Sequence, residues 1–423
     1  MRQIAVDVAI IGGGPAGLAA GIAAARAGAD ALLLERGSEL GGVLLQCIHP
    51  GFGLKLYGED LTGPEYAGRW LDGLGGLRYL TSTMVLALEP GPRIVASSSE
   101  SGLLRVRARA VVLAMGCRER SRGAIAIPGT RPAGVLTAGT AQRLVNVHGY
   151  MPGRRFVILG SGDIGMIMAR RLTWEGAEVL GVYELMPYLT GLRRNYVQCL
   201  LDQDIPLHLS HTITDIRGRR RLTSVSVSPV DRELKPVHYA SKDVEADTLL
   251  LSVGLIPENE LSRAAGVAIC PATGGPLVDN RLQTSAPGVF AAGNVVQVHD
   301  LADDVSLAGE LAGAEAAQYA LGGQNGGACP VRIAVLAGEN VRLIAPQLLR
   351  LDDVTARRIE LQLRVRRPIE APCAAEFVVA GQRVATRPLA YVRPGEMVCV
   401  GLPRAVASSL GPGSDLTLNV AAA

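Results

Sequence analysis

Aromatic residues make up only 4% of this 423-residue chain and charged residues only 19%. It therefore lacks the stacking platforms and cationic faces that grip nucleic acid. Lys and Arg outnumber Asp and Glu by 42 to 39, a net charge of +3 scattered along the sequence. The stretch Arg217-Gly218-Arg219-Arg220-Arg221 reads as a solvated hairpin turn. Seven cysteines stand at 47, 117, 199, 270, 329, 373 and 399, so CxxC and zinc-finger spacings are absent. An odd, scattered set predicts reduced thiols in a cytoplasmic setting. No apolar run reaches the about 18 residues a membrane helix needs. The N-terminus imitates a secretion signal, but Asp7 and Gly12-Gly13-Gly14 interrupt its apolar core, and it is read as mature sequence.

With 48% hydrophobic residues the composition is that of compact domains, and the length suits two to four of them. Ile4 to Ile11 reads as a strand, three glycines follow, and Pro15 opens an Ala/Leu/Ile-rich helix to Ala27 before a second strand at Ala31 to Leu34. Gly41 to Gly63 is a long glycine-rich connection, and such connections are more often functional than idle. Thr62-Gly63-Pro64-Glu65 spells a capping box for a helix to about Leu74. Short β-rich runs lead to a buried strand, Ala110 to Ala114. The same order recurs after Met151-Pro152-Gly153: strand Phe156 to Leu159, loop Gly160 to Gly165, helix Met166 to Trp174, strand Val179 to Tyr183. A helix around Leu192 to Leu201, β segments to Val230 and the apolar Thr248 to Val253 complete this unit. A further helix runs from about Asp303 to Leu321. Beyond a linker, Gly322 to Gly327, lie short β-type runs that predict a small β-rich domain.

Gly12-x-Gly14-x-x-Gly17 lies between strand and helix, and Glu35 closes the next strand 18 residues after Gly17. The first glycine permits the turn, the second admits a pyrophosphate and the third packs helix on strand, while Glu35 accepts from a ribose hydroxyl. A ligand-free tight turn would use the same glycines; the acid is the independent match. Gly17-x-x-x-Gly21 imitates a membrane-helix dimer face, but neighbouring Arg26 and Asp30 favour packing inside a domain. Gly160-x-Gly162-x-x-Gly165 repeats the pattern, with Glu184 19 residues after Gly165. A carboxylate there would accept both ribose hydroxyls of NAD and repel a 2′-phosphate, so NADH is expected over NADPH; Arg193 and Arg194 offer the opposite reading as a phosphate clamp.

These two fingerprints resemble those of the FAD- and NAD(P)-dependent pyridine nucleotide-disulfide oxidoreductases. Ala114-Met115-Gly116 is similar to the family's ATG turn, and Thr284 to Asn294 (TSAPGVFAAGN) to its second FAD motif, with Asn294 where the family usually has Asp. Ser252 to Asn259 is similar to the turn leaving the NAD domain. The resemblance implies two Rossmann-like α/β domains, the NAD domain inserted in a split FAD domain, plus the C-terminal β-rich domain. The boundaries are 1–119 and 254–324 for FAD, 120–253 for NAD, and 328–423 for a β-rich domain that could serve as an interaction module. It implies FAD contacts at Gly12, Gly13, Gly14, Pro15, Ala16, Gly17, Glu35, Arg36, Gly42, Val85, Ala114, Met115, Gly116, Gly293 and Asn294. It implies NAD contacts at Gly160, Gly162, Asp163, Ile164, Gly165, Glu184 and Gly254. Gly116 to Arg120, Pro128-Gly129 and Arg131 to Val135 further resemble FAD/NAD subunits that accompany anaerobic glycerol-3-phosphate dehydrogenase, and the α subunits of sarcosine, opine and proline dehydrogenases and hydrogen cyanide synthase. Partner subunits and an oligomer are expected by that resemblance.

The expected activity is hydride transfer from NADH to FAD and onward to a second acceptor. The alternative is an electron-transfer subunit whose partner oxidises the substrate. Disulfide reductases carry two cysteines after the Gly-Gly that follows the ribose-binding acid; here Gly41-Gly42 is followed by one, Cys47, in Gln46-Cys47-Ile48-His49-Pro50. Cys47 is either a single redox thiol with its pKa lowered by His49, or a small buried hydrophobe. On a strand the two would share a face. Asp303 and Asp304 are expected to cap a helix whose N-terminus, by the resemblance, points at the flavin, with His299 a further candidate beside it. His208 and His211 lack a third ligand, so no metal is expected.

Overall fold

A computed structural model describes residues 2–322 and 331–422, which divide into two compact units, 1–117 with 257–423, and 118–256. Most of the expected linker, and Cys329, lie outside the described residues.

The first unit is built on a parallel sheet ordered Val289–Ala291, Ala110–Leu113, Val8–Ile11, Ala31–Leu34, Arg78–Leu80. Its central strands are apolar at every position because both faces are covered. Val8, Ile10, Leu33 and Val112 pack under the helices Pro15–Arg26 and Ala302–Leu321, whereas Ala9, Ile11, Leu32 and Leu113 face an antiparallel meander containing Ile94 and Leu104. The expected single strand Ile4 to Ile11 is in fact two. Arg2–Ala5 joins the meander beside Gly102–Arg107, and the chain changes sheet at Asp7, whose carbonyl accepts from Arg109 and Ala110. The two helices touch through glycine: a Cβ on Gly309 would lie 2.2 Å from the Ala16 carbonyl, and one on Gly313 2.0 Å from that of Ala20. Gly21 is less constrained, since its missing Cβ lies 2.6 Å from a methyl group of the movable Leu77 side chain.

The second unit repeats the plan, with a parallel sheet ordered Val135–Thr137, Thr248–Leu251, Arg155–Leu159, Glu178–Glu184, Leu207–Leu209. In both units the strand preceding the glycine fingerprint is third and the strand leading to the acid is fourth. The basic stretch 217–221 turns between the antiparallel strands His211–Gly218 and Leu222–Pro229, as expected of a hairpin.

Residues 331–422 form a five-stranded and a three-stranded sheet around one core that includes Leu361, Leu363, Phe377 and Leu418. This core belongs to the first unit. Arg281 donates to the Asp353 carboxylate at 2.5 and 2.6 Å, Glu315 of the Ala302–Leu321 helix pairs with Arg357, and Arg332 meets Asp279 at 2.8 Å. Among the described residues no helix is long and apolar enough to cross a membrane.

Candidate cofactor sites

The first glycine loop is shaped for a group lying against it. Gly12 has φ +107°, and a Cβ there would lie 2.4 Å from the Ala114 carbonyl; one on Gly17 would lie 1.7 Å from the Gly12 carbonyl. Gly14, by contrast, has nothing within 4 Å of its missing Cβ. The Pro15–Arg26 helix begins there without a side-chain cap or an acid in its first turn, leaving N–H groups and the dipole to meet an anion. Glu35 is oriented by its own chain: Gly13 N–H donates to one carboxylate oxygen and Gly37 N–H to the other, both at 2.6 Å. Each oxygen keeps a lone pair for a ribose hydroxyl. Gly42 closes over the loop, its missing Cβ 2.9 Å from the Gly14 Cα. These features fit an FAD pyrophosphate and ribose. Arg36 is exposed, and Val85 is a core residue of the meander with only its backbone to offer.

The turn Ala114-Met115-Gly116 ends with Gly116 at φ +70°, and the next residue, Cys117, has its Sγ 3.7 Å from the Asn294 amide nitrogen. The Asn294 carbonyl oxygen accepts from the backbone N–H of His299 at 3.0 Å, with the His299 ring Nδ1 at 3.4 Å. Burial pushes the His299 imidazole down to about 4, against the pull of Asp304 and Asp300. The ring is thus neutral at physiological pH.

Asp303 and Asp304 do not cap the helix, contrary to the expectation from sequence. The helix starts at Ala302, and both acids lie inside its first turn. Asp303, fully buried, accepts from the N–H groups of Gly53 and Leu56 at 3.2 and 3.1 Å, and Asp304 pairs with Lys55 at 2.5 Å. The glycine-rich connection is therefore anchored on the helix. Tyr66 beside it donates to Ser306 at 2.9 Å, and burial pushes its phenol up to about 12. The Tyr66 ring meets those of Tyr57 and Phe52 with centroids 5.7 and 6.2 Å away, a local concentration of aromatics in a chain poor in them.

Cys47 ends a 3-10 turn, Gly42–Gln46, and its Sγ donates to the Val43 carbonyl at 3.3 Å. His49 lies 2.9 Å from the Pro50 carbonyl through Nδ1. The segment is a turn rather than a strand, so the shared strand face does not form. The six described cysteines form no disulfide with one another. Burial raises Cys199 and Cys373, and desolvation with Glu360 and Asp304 pushes Cys399 up to about 12, although its side chain reaches the surface. None of these three suits thiolate chemistry. Cys117 was missed by sequence reasoning, although its place directly after the Gly116 turn was a usable signal.

In the second unit Gly160 has φ +97°, its missing Cβ 2.1 Å from the Ser252 carbonyl, and that of Gly165 lies 2.6 Å from the Ser252 Cβ. Asp163 opens the helix Asp163–Trp174, but its carboxylate is turned to the Leu192 N–H and the Asn195 amide at 2.8 and 2.6 Å. Ile164 is half-buried, and Gly254 has φ +99° with open space at its missing Cβ. Glu184 is buried and held by four donors: Ser161 N–H and hydroxyl, the Thr190 hydroxyl and Met186 N–H, at 2.7 to 2.9 Å. Arg193 and Arg194 are exposed. The cradle fits a dinucleotide, with one lone pair of Glu184 still open to a ribose. Tyr183 stacks on His208 at 4.8 Å with His211 beside them, and no group of three metal-ligating side chains occurs among the described residues. Within the Gly116 to Val135 stretch, Glu119 accepts from the Gly139 N–H at a helix start, and Gly129 and Gly134 fit where a Cβ would strike backbone carbonyls at 2.2 and 2.3 Å.

Residues 6–320 match the family described as pyridine nucleotide-disulphide oxidoreductase. Hydrogen cyanide synthase subunit HcnB of Pseudomonas aeruginosa is 30% identical over 285 residues, 61% of this chain and 59% of the relative. An opine oxidase subunit of Agrobacterium tumefaciens is 27% identical over 311 residues, 68% and 61%. The chain thus spans about six-tenths of the length of these relatives. The crystal structure of T. acidophilum thioredoxin reductase superposes with a TM-score of 0.59 at 24% identity, covering 75% of this chain and 98% of that one, a likeness of fold. The paired glycine cradles, their carboxylates and this match over three-quarters of the sequence place the chain in the pyridine nucleotide-disulphide oxidoreductase family, whose members bind FAD and NAD(P).

Proposed function

We propose that the protein passes electrons from NADH, held by residues 160–184, to FAD, held by the first unit, and from there to a second acceptor. The observation that carries this reading is the duplication: two glycine cradles, each after the third strand of its sheet and each paired with a carboxylate at the end of the fourth. When bound, the two coenzymes supply two-electron chemistry; the protein supplies placement and electrostatics. The sheet carries Glu35, Gly14, Ala114-Met115-Gly116 and Gly293-Asn294 at the ends of successive strands, so these residues would hold FAD, with Glu35 toward a ribose and Gly14 toward the pyrophosphate. At the Gly293 end of this row the chain presents Cys117, Asn294, a neutral His299 and the first turn of the Ala302–Leu321 helix. Cys47 is the candidate redox thiol, with His49 in the same turn region.

Anaerobic titration with NADH and NADPH tests the reading. Flavin colour should bleach with one equivalent of NADH and more slowly with NADPH; a protein that stays colourless after incubation with FAD would refute it. Glu184→Gln removes the charge and turns an NH2 donor toward either the Ser161 and Thr190 donors or the Met186 N–H, and should move selectivity toward NADPH by about tenfold. Cys47→Ser should slow flavin reoxidation and spare flavin reduction; unchanged turnover removes the thiol from the mechanism. A second reading, an electron-transfer component of a larger dehydrogenase, is favoured by the relatives named as subunits, HcnB and the opine oxidase chain. Co-purification of a substrate-oxidising flavoprotein would decide for it.

A further inference from the structure

Arg364 lies on the strand Glu360–Val365 of the C-terminal three-stranded sheet, with a side chain only 9% exposed. Its Nη2 donates to the Asp300 carboxylate and, at 3.2 Å, to the Val298 carbonyl, while Nη1 lies 3.4 Å from the Pro394 carbonyl. The other Asp300 oxygen accepts from Met397 N–H at 2.6 Å. Two residues earlier on the same strand, and so on the same face, Gln362 accepts from the Gln297 amide at 2.6 Å. The stretch 297–300 is thus held from two parts of the C-terminal region. It is the stretch that carries His299, which Asn294 grips from the other side, and that leads into the helix at Ala302. A buried ion pair costs desolvation that apolar residues would avoid, so stability alone is a poor reason for it; what the planar guanidinium provides is a fixed geometry over several acceptors.

We propose that Arg364 is a positioning residue for the reaction: from the C-terminal sheet it fixes residues 298–300, and through them His299, Asn294 and the first turn of the Ala302–Leu321 helix, at the flavin end of the FAD site. The inference deepens the flavoenzyme reading and rests on it. It makes the C-terminal sheet part of the redox site, whatever partner its outer surface meets.

The test compares Arg364→Lys and Arg364→Met with Arg383→Met, which removes an exposed ion pair to Glu376 in the same C-terminal region. Each full-length variant is loaded with FAD, and its thermal midpoint, visible circular dichroism, flavin potential, rate of reduction by NADH and rate of reoxidation by p-benzoquinone are measured. Arg364→Met should alter the flavin dichroism and potential and slow reoxidation about tenfold or more, with NADH reduction changed less than about twofold. Arg364→Lys, which keeps the charge but loses the fork, should fall between, and Arg383→Met should match wild type. Should Arg364→Met fail to fold, Arg364→Lys carries the test. Wild-type dichroism, potential and reoxidation in a folded Arg364 variant would overturn the proposal, as would equal slowing of both half-reactions. A colourless wild-type protein would overturn the flavoenzyme reading itself and this proposal with it.

Discussion

His299 shows what the desolvation of one side chain does to stability. Its folded pKa is depressed from the ordinary 6.5 to about 4 by burial. Between those values the unfolded chain takes up a proton that the folded one refuses, so stability is lost as pH falls through this window, by up to about 1.4 kcal/mol per pH unit. His299→Gln should flatten that limb of the stability curve; denaturant unfolding at pH 7, 6, 5 and 4 measures it, and an unchanged slope would contradict the assignment. Asp247 acts in the same direction at lower pH. Burial opposes its charge, but the Thr248 hydroxyl, the N–H groups of Arg154 and Arg155 and nearby Arg221 outweigh burial and hold its carboxyl below the ordinary 3.8. Its contribution is present above that value and lost as pH falls below it. Asp247→Asn should cost the second unit about 1 to 2 kcal/mol at neutral pH, and less in acid.

At the scale of elements, the contact between the helices Pro15–Arg26 and Ala302–Leu321 is the sensitive joint, because the first of them opens at the Gly12–Gly14 loop proposed to hold FAD. Gly313→Ala drives a methyl group to 2.0 Å from the Ala20 carbonyl and must push the helices apart. We expect a loss of about 3 kcal/mol and weaker FAD retention. Gly68→Ala is the contrasting case: it lies within the helix Gly63–Asp72 with nothing near its missing Cβ, and should stabilise by about 0.5 to 1 kcal/mol. Chemical denaturation and flavin content read both. If the two substitutions behaved alike, backbone contact would not be the deciding term.

On the scale of the whole molecule, residues 331–422 are joined to the rest of the first unit by buried charge. Asp353, 4% exposed, accepts from Arg281 and Asn280, and Glu315, 8% exposed, pairs with Arg281 and Arg357. Asp353→Asn removes one of the two acids on Arg281 and leaves it Glu315 at 3.4 Å, so it should destabilise the first unit by about 1 to 3 kcal/mol. Deleting 331–422 should cost it FAD as well. A truncated chain that stays folded and yellow would show that these pairs are dispensable.

Local chemistry was enough to read the two strand–loop–helix units, the capping box at Thr62 and the acids at Glu35 and Glu184, because each depends on residues near one another in sequence or at a set spacing. The close approach at Gly309, the role of Asp303 as anchor for the loop at 53–56 and the hold of Arg364 on residues 298–300 depend on contacts far apart in sequence, for which spacing carries no signal. The division of Ile4 to Ile11 between two sheets was hidden for the same reason. An apolar run says that a strand is buried but not which neighbour buries it. The sequence alone therefore determined two glycine loops, each paired with an acid; the tertiary structure decided which side chains gather around Asn294 and His299, since only packing brings the C-terminal sheet to that point.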